Sequence, residues 1–280
     1  MLWQGRRGSS NVDDRRGVSG GQVAVGGGII GVIALVLNFL LGGGDVSQLP
    51  QQLPMQNKPL SVEEQAADDQ RATFVKVVLA ETEDVWNKLF KEIGKEYPDP
   101  TLVLFRGGTT SGCGSASSSS GPFYCPADQK VYIDLAFYQD LQTRFQAPGD
   151  FAMAYVVAHE VGHHIQNYLG ISDKVHQMRQ QVSEGEYNKY SVKLELQADF
   201  LAGVWAHHTQ KMKKNIEAGD IEEALSAANA IGDDNLQKQA QGYTVPESFT
   251  HGTSQQRMYW FKKGYQTGDI NQGDTFNSAE

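Results

Sequence analysis

Cysteine is scarce in this sequence, which contains only Cys113 and Cys125. No second cysteine or histidine pair lies near them, and this argues against a zinc site built from these two residues. The stretch between them is rich in Gly and Ser, and a disulfide closing it would contribute roughly 3 kcal/mol. Two free thiols are the alternative. We predict the disulfide, which agrees with export to an oxidising compartment.

Positive charge is also in short supply. The chain has 24 Lys and Arg against 33 Asp and Glu, for a net charge of -9. Proteins that bind nucleic acids usually carry a basic stripe or patch, and none is visible here, so we expect no nucleic-acid partner. With 40% hydrophobic and 20% charged residues, most of the chain is expected to be globular.

Only one long hydrophobic run stands out, Val23 to Leu41. It carries no charge and can cross the ~30 Å hydrocarbon layer of a bilayer, so we predict a transmembrane anchor at residues 23–42. Four arginines precede it, whereas the first cation after it is Lys58. This asymmetry predicts a cytoplasmic basic tail at residues 1–22 and a single-pass protein of the inner membrane. The arginines are Arg6, Arg7, Arg15 and Arg16.

The remainder of the chain is expected outside the cytoplasm, in the periplasm or beyond the cell. Residues 43–60 are rich in Gly, Pro and Gln, which predicts a linker, and residues 61–280 form the exported domain. A cleaved signal peptide is the alternative to the anchor. It would need unusually long n- and h-regions, and no A-x-A site follows the apolar run.

Within residues 61–280, helical patterns outnumber strands, which predicts a mainly helical α+β domain with a small sheet. A capping box at Ser61 begins a helix to about Gly94, with a candidate break between Glu81 and Asp84. Short β-prone runs lie at Thr101–Phe105 and Val131–Ile133. Four further helices have both ends predicted: Leu135–Phe145, Asp150 (as N-cap) to Gly170, Asp173 to about Ser183, and Glu186–Lys213. Three more helices are expected to begin at Asp220, at Asp233 and at Thr253 or Ser254.

The most informative stretch is HEVGHH, residues 159–164. His159 and His163 stand at i and i+4, so on a helix both imidazoles lie on one face and can share one metal ion. Glu160 lies near that face and can reach a metal-bound water, which is the H-E-x-x-H pattern of zinc hydrolases. A cluster of satisfied core polar residues is the structural alternative. His164 points about 100° away from His163, so we expect an ordinary polar or surface contact there.

A catalytic zinc site needs a third protein ligand. In the metzincin pattern H-E-x-x-H-x-x-G-x-x-H, the glycine and the third histidine would fall at positions 166 and 169. These positions hold Gln166 and Leu169, so that class is excluded. Glu195 and Asp199 instead lie at i and i+4 in an otherwise apolar helical stretch, where two carboxylates need a cation. We predict that Glu195 is the third ligand and that Asp199 supports a zinc-bound histidine. A solvent-facing pair of charges is the alternative.

Two later residues complete the candidate site. His251 precedes a predicted helix start, and Arg257 lies on that helix. A developing oxyanion needs donors besides the metal, and either side chain could supply one. The spacing alone fits equally well with His251 being an ordinary loop residue and Arg257 an ordinary surface residue.

These motifs resemble a known group of enzymes. HEVGH followed by ELQAD resembles the gluzincin metallopeptidases, among them the membrane-bound CAAX and stress-induced endopeptidases, and the spacing of His251 and Arg257 is similar to theirs. Nearly the whole chain resembles a bacterial family of neutral zinc metallopeptidases, through its arginine-rich start, single anchor, VYIDLAFY, HEVGHH, QADFLAGVWA and FTHGTSQQR. The resemblance implies a zincin fold and an envelope location, and it implies no particular substrate.

We therefore expect a membrane-anchored zinc endopeptidase that binds one Zn²⁺ per chain and cleaves envelope polypeptides. Gluzincins that cross the membrane several times enclose their site in it, whereas one span leaves this site to water-accessible substrates. A zinc-stabilised interaction or chaperone-like protein without turnover is the main alternative, although it would have no use for Glu160. A hydrolase of non-peptide amides is a third reading.

Overall fold

A computed structural model describes residues 1–17 and 60–278 of the chain. The predicted anchor at 23–42 lies outside the described residues, as does the predicted linker apart from Leu60. Among the described helices, none is both long enough and apolar enough to span a bilayer.

The described residues form a mainly helical α+β fold with a small sheet, which confirms the predicted class. The six strands are β1 Val12–Asp14, β2 Thr101–Phe105, β3 Gly108–Ser111, β4 Gly114–Ser117, β5 Phe123–Cys125 and β6 Lys130–Asp134. The eight α-helices of this part of the chain are α1 Val62–Glu92, α2 Phe137–Thr143, α3 Asp150–Tyr168, α4 Ile171–Met178, α5 Glu184–Lys213, α6 Asp220–Ala230, α7 Asp233–Gln241 and α8 Ser254–Thr267.

The main sheet has the strand order β1-β2-β6-β5. Strands β1, β2 and β6 are parallel, and β5 pairs antiparallel with β6. Because side chains alternate along a strand, Leu102 and Leu104 pack into the helical core while Val103 and Phe105 pack on the opposite face. The predicted strands at 101–105 and 131–133 are confirmed, and β5 is a free edge beside α3.

The predicted disulfide is present between Cys113 and Cys125. Cys113 lies in the turn of the β3–β4 hairpin, and Cys125 ends β5. The bond therefore fastens the hairpin to the edge strand of the main sheet.

Residues 1–17 differ most from what the sequence predicts. Instead of extending away as a basic tail, they pack on the domain: Val12 pairs with Leu102 in the sheet, and the Leu2 N–H donates to the Asn215 carbonyl at 2.8 Å. Three of the four arginines form ion pairs with α1, namely Arg6–Glu81 at 3.1 Å, Arg7–Glu83 at 3.2 Å and Arg16–Asp68 at 2.7 Å. Buried carboxylates require such partners, so this segment is part of the folded unit.

These ion pairs also explain why the break expected at Glu81–Asp84 is absent. Helix α1 is continuous over 31 residues, and Glu81 and Glu83 are buried in it. The acidic run is tolerated inside the helix because Arg6 and Arg7 neutralise it. The sequence alone suggested a break at this run, since the arginines that pair with it lie more than 70 positions earlier.

Several predicted helix boundaries need small corrections. Ser61 caps α1 with a complete capping box, and Thr253 does the same for α8, as predicted. Asp150 is the first residue of α3 and not its cap, and α4 begins at Ile171 and not at Asp173. Helix α2 is shorter than its predicted range, and α5 begins two residues early, at Glu184.

Candidate metal centre

Helix α3 presents His159 and His163 side by side, one helical turn apart. Their Nε2 atoms lie 3.2 Å from each other, so both rings aim at one point. Apart from His163, which is partly buried, the helix is buried from Phe151 to Gln166, because most of its other residues are apolar. An i, i+4 pair on a buried helix can bind one ion with little rearrangement.

Helix α5 brings Glu195 to the same point. One carboxylate oxygen lies 3.1 Å from Nε2 of His159, and the other lies 3.4 Å from Nε2 of His163. Gly162 lets the two helices approach this closely, since a Cβ at that position would lie 3.0 Å from the Ala198 carbonyl oxygen. The structure thus brings together the three predicted ligands, of which Glu195 lies 36 positions after His159 in the sequence.

This donor set fits a zinc ion. The three ligand atoms lie within 4.8 Å of one another, and two neutral imidazoles with one carboxylate are a common catalytic zinc environment. The electrostatics also favour a cation. Burial lowers the pKa of His159, but Asp199 and Glu195 outweigh it and raise that pKa to about 10. Burial raises the pKa of Glu195, yet His163 and His251 hold it well below its ordinary value.

Asp199 stands directly behind His159. Its Oδ1 lies 2.8 Å from Nδ1 of His159 and accepts a hydrogen bond from the Tyr155 hydroxyl at 2.5 Å. Burial raises the pKa of this carboxyl, but Arg257 and His159 outweigh it and lower the pKa to about 2. An ionised Asp199 accepts a hydrogen bond from Nδ1–H of His159, which leaves Nε2 of that ring free to bind a metal.

Arg257 lies on the far side of Asp199 from the ligand cluster. Its Nε donates to Oδ2 of Asp199 at 2.8 Å, and a terminal nitrogen donates to Oδ1 at 3.0 Å and to the Tyr155 hydroxyl at 3.2 Å. Arg257 is only 2% exposed. This position differs from both readings of the sequence, because Arg257 is neither on the surface nor directed at the metal point. It compensates the buried charge of Asp199.

Glu160 is buried beside the ligands without being one of them. Burial raises the pKa of its carboxyl, an effect reduced by His159, by His163 and by a hydrogen bond from the backbone N–H of Tyr124. Tyr124 belongs to β5, so the edge strand contacts the glutamate of the motif directly. This contact fixes the position of Glu160 relative to the sheet edge.

His251 approaches the cluster from the loop between α7 and α8. It is 8% exposed, and burial lowers its pKa, but Glu195 and Asp233 outweigh it and raise the pKa. One oxygen of Asp233 accepts the backbone N–H groups of Thr250, His251 and Gly252 at 2.8, 2.6 and 3.0 Å. The other oxygen lies 3.3 Å from Nδ1 of His251. Asp233 therefore holds both the loop and the ring.

His164 faces away from the cluster, as helix geometry predicts. Its Nε2 donates to the Pro98 carbonyl at 2.6 Å, and its Nδ1 lies 3.2 Å from the Tyr124 hydroxyl. The side chain is 2% exposed, so its contacts are polar but lie in the interior.

Sequence reasoning did not single out four residues around the cluster: Tyr124, Tyr155, Gln166 and Asp233. Tyr155 lies four positions before His159, a spacing that could have suggested a shared partner. Asp233 was predicted only as a helix start. The contact between Tyr124 and Glu160 depends on strand pairing, and no local pattern in the sequence indicates it.

Comparison with known proteins agrees with this site. A family model described as "Putative neutral zinc metallopeptidase" matches residues 1–276. The chain is 50% identical over 287 residues to Escherichia coli K12 "Uncharacterized protein YpfJ", with both chains covered completely. It is 42% identical over 258 residues to Mycobacterium tuberculosis H37Rv "Uncharacterized protein Rv2575", with 86% of each chain covered. No solved structure matches. The match from residue 1 to residue 276 places this chain in the neutral zinc metallopeptidase family.

Proposed function

We propose that this protein is a zinc-dependent endopeptidase that hydrolyses peptide bonds of envelope polypeptides. The observation that carries the proposal is the convergence of His159, His163 and Glu195 on one point, with the carboxylate of Glu160 beside it. A purely structural zinc site would be closed by four protein ligands, whereas three ligands leave a position for water and substrate.

The three ligands would hold one Zn²⁺ per chain. When bound, the ion lowers the pKa of its water and polarises the scissile carbonyl. Asp199 keeps His159 in the tautomer that can bind, and Arg257 keeps Asp199 ionised. In this proposal Arg257 therefore acts through Asp199 and does not contact the substrate.

Glu160 would act as general base and then as general acid. Its carboxylate accepts a proton from the attacking water and returns it to the nitrogen of the leaving amine. Burial raises the pKa of Glu160, which favours this exchange at neutral pH. The hydrogen bond from the Tyr124 N–H keeps the carboxylate oriented during both transfers.

His251 would stabilise the oxyanion that develops on the carbonyl oxygen. The carboxylate of Asp233 faces its Nδ1, so a protonated ring would keep its Nε2–H for the substrate. The charges of Glu195 and Asp233 support protonation, since both raise the pKa of His251. Of the two sequence candidates, His251 is favoured because Asp199 and Tyr155 occupy the guanidinium of Arg257.

An extended substrate would add to the free edge of the sheet. Between Phe123 and Asp134, β6 is paired on both sides, so β5 is the strand of this stretch that offers an edge. Strand addition supplies main-chain hydrogen bonds without demanding a particular sequence. Because β5 contacts Glu160 through Tyr124, a strand bound there passes close to the reacting groups.

An envelope location remains part of the proposal. The Cys113–Cys125 disulfide supports it, because such bonds persist mainly outside the cytoplasm. Polypeptides of the envelope are therefore the substrates that we expect the site to meet.

The decisive experiment compares the wild type with Glu160→Gln. The variant is expected to bind zinc with unchanged stoichiometry and to lose hydrolysis of a peptide library. N-terminal proteomics of envelope fractions from the two strains would then identify the cleaved proteins. Retained turnover in the variant would exclude the mechanism. A silent Glu160→Gln together with an unfolded His159→Ala would instead favour a zinc-stabilised protein without turnover.

A further inference from the structure

Gln166 is fully buried on α3, three residues after His163. Its side-chain Oε1 lies 2.9 Å from Nδ1 of His163. This contact is on the side of the ring opposite Nε2, the atom that faces Glu195. Gln166 thus has the same relation to His163 that Asp199 has to His159.

The orientation of the Gln166 amide follows from its other partners. Its Nε2 lies 2.7 Å from the Leu194 carbonyl oxygen, which can only accept a hydrogen bond. It also donates to Oε1 of Gln197 at 3.2 Å. The oxygen of Gln166 must therefore face His163 and accept, so Nδ1 carries the proton and Nε2 is left with its lone pair.

The same amide joins two ligand-bearing helices. Leu194 immediately precedes Glu195 on α5, so the bond from Gln166 sets the spacing between α3 and α5 next to the third ligand. Gln197 continues the chain of amides and donates to the Gly273 carbonyl at 2.9 Å. Replacement of Gln166 would disturb both the ring of His163 and the approach of Glu195.

We infer that Gln166 is a positioning residue that fixes the metal-binding tautomer of His163 and the separation of α3 from α5. The inference rests on the proposed zinc site. Partners of this kind, when removed, typically weaken metal binding by about 10- to 100-fold.

Zinc affinity, measured by competition with a chromophoric chelator, tests the inference. Gln166→Met is expected to lose about 10- to 100-fold in affinity. Gln166→Glu keeps an acceptor for Nδ1 but loses the donor to the Leu194 carbonyl, so it should recover only part of that loss. Asn167→Leu is the matched control on the same helix, because it removes only a bond to the Tyr124 hydroxyl, and its affinity should stay close to that of the wild type.

The tautomer can be read without any substitution. In zinc-loaded protein labelled with ¹⁵N-histidine, long-range ¹H–¹⁵N correlations should show His163 protonated at Nδ1. Protonation at Nε2, or wild-type affinity in Gln166→Met, would overturn the inference. His163→Ala separates the two hypotheses. If His163→Ala binds zinc as tightly as the wild type, the proposed site itself is wrong. If His163→Ala loses zinc binding while Gln166→Met keeps wild-type affinity, the site stands and only the role of Gln166 is wrong.

A second inference has an independent basis in the contacts of residues 1–17. Strand β1 pairs with β2 over three residues, and Arg6, Arg7 and Arg16 form ion pairs with α1. Paired strands lie about 5 Å apart, whereas a bilayer has a hydrocarbon layer of ~30 Å. A single crossing between Gly17 and Leu60 would place β1 and β2 on opposite sides of that layer.

The geometry points to residues 1–17 and 60–278 sharing one compartment, and the disulfide points to an oxidising one. This replaces the cytoplasmic tail that the arginines predict.

Introduced thiols can test this arrangement, because both native cysteines are bonded to each other. Ser10→Cys reports on the N-terminal segment and Ala240→Cys on the domain, and both positions are exposed. A maleimide that cannot cross the inner membrane should label both in intact cells. Labelling of Ala240→Cys alone would overturn the shared compartment. Protection of both until the inner membrane is broken would overturn the oxidising location.

Discussion

The carboxylate of Asp199 lies 2.8 Å from Nδ1 of His159 and is held from behind by Arg257. The face of α3 that carries the proposed ligands therefore depends on a buried ion pair formed between α5 and α8. Such a pair contributes less to stability than its contacts suggest, but loss of one partner is costly because it leaves an uncompensated charge in the interior.

Asp199→Asn is expected to destabilise the protein by about 3–5 kcal/mol, since Arg257 would lose its buried counter-charge. Urea unfolding at saturating zinc measures this loss. The double variant Asp199→Asn with Arg257→Met removes both charges, so it should be more stable than the sum of the single effects predicts. Additive losses would show that the two side chains do not act as a pair.

Removal of the metal should lower stability. A ligand that binds only the folded state at 100 times its Kd contributes about 2.7 kcal/mol, so a chelator is expected to lower Tm and added zinc to restore it. His163→Ala should remove the sensitivity to the chelator. Asn167→Leu keeps all three ligands and should remain as sensitive as the wild type. An unchanged Tm with chelator in the wild type would argue against a zinc site.

Much of the site could be predicted because its parts are local. The i, i+4 spacing of His159 and His163 survives in any helix, and an apolar surrounding made Glu195 and Asp199 conspicuous. The position of Arg257 was not predictable, since nothing in its own segment indicates that Asp199 receives it. The same holds for Gln166, whose role depends on a carbonyl in another helix.

The fold shows the same division between local and distant information. Capping boxes predicted the starts of α1 and α8 correctly, because the signal lies within four residues. Strand β1 was missed since it is three residues long and its residues pair with residues ninety positions later. The arginines of residues 1–17 indicated membrane topology when only the sequence was considered, whereas in the structure three of them neutralise buried carboxylates.

His251→Gln tests the oxyanion role. Loss of one donor at a developing oxyanion typically costs about 10²–10³ in kcat, and zinc affinity should stay unchanged because His251 is not a ligand. Steady-state kinetics and chelator competition measure the two quantities separately. Asp233→Asn leaves the ring in place with a weaker partner, so its loss in kcat should be smaller. A fall in zinc affinity equal to the fall in kcat would contradict this role.

Acid should weaken the docking of residues 1–17. Hydrogen bonds from Arg16 are the main cause that lowers the pKa of Asp14 to about 2, and Lys76 of α1 also binds it. A depressed carboxyl pKa stabilises the fold above the unfolded value of about 4, and this contribution is lost as the pH falls through about 2.

Asp14→Asn is therefore expected to lower the urea midpoint at pH 7 and to match the wild type increasingly closely from pH 4 downwards. Asp13→Asn is the control, because Asp13 bonds Arg15 within the same segment and has no bond to α1. Its loss at pH 7 should be smaller. A difference between Asp14→Asn and the wild type that persists at low pH would show that the charge is not responsible.

Helices α5 and α8 cross at Gly203 and Gly264. Asp199 lies on α5 and Arg257 on α8, so the crossing sets the distance between these two side chains. A Cβ at Gly203 would lie 2.1 Å from the Phe261 carbonyl oxygen, so Gly203→Ala must push the helices apart. Overpacking of this kind costs about 1–3 kcal/mol or more. Gly185→Ala is the matched control in the same helix, since no neighbouring atom lies within 4 Å of its added Cβ.

Because alanine favours helix over glycine, Gly185→Ala in the first turn should stabilise α5 by at most about 0.5–1 kcal/mol. Opposite signs for the two substitutions are the expected result in urea unfolding. Gly203→Ala should also weaken zinc binding, because a displaced α8 carries Arg257 away from Asp199 and loosens the support of His159. Equal and small effects at both positions would show that the two helices do not depend on this close crossing to hold the site.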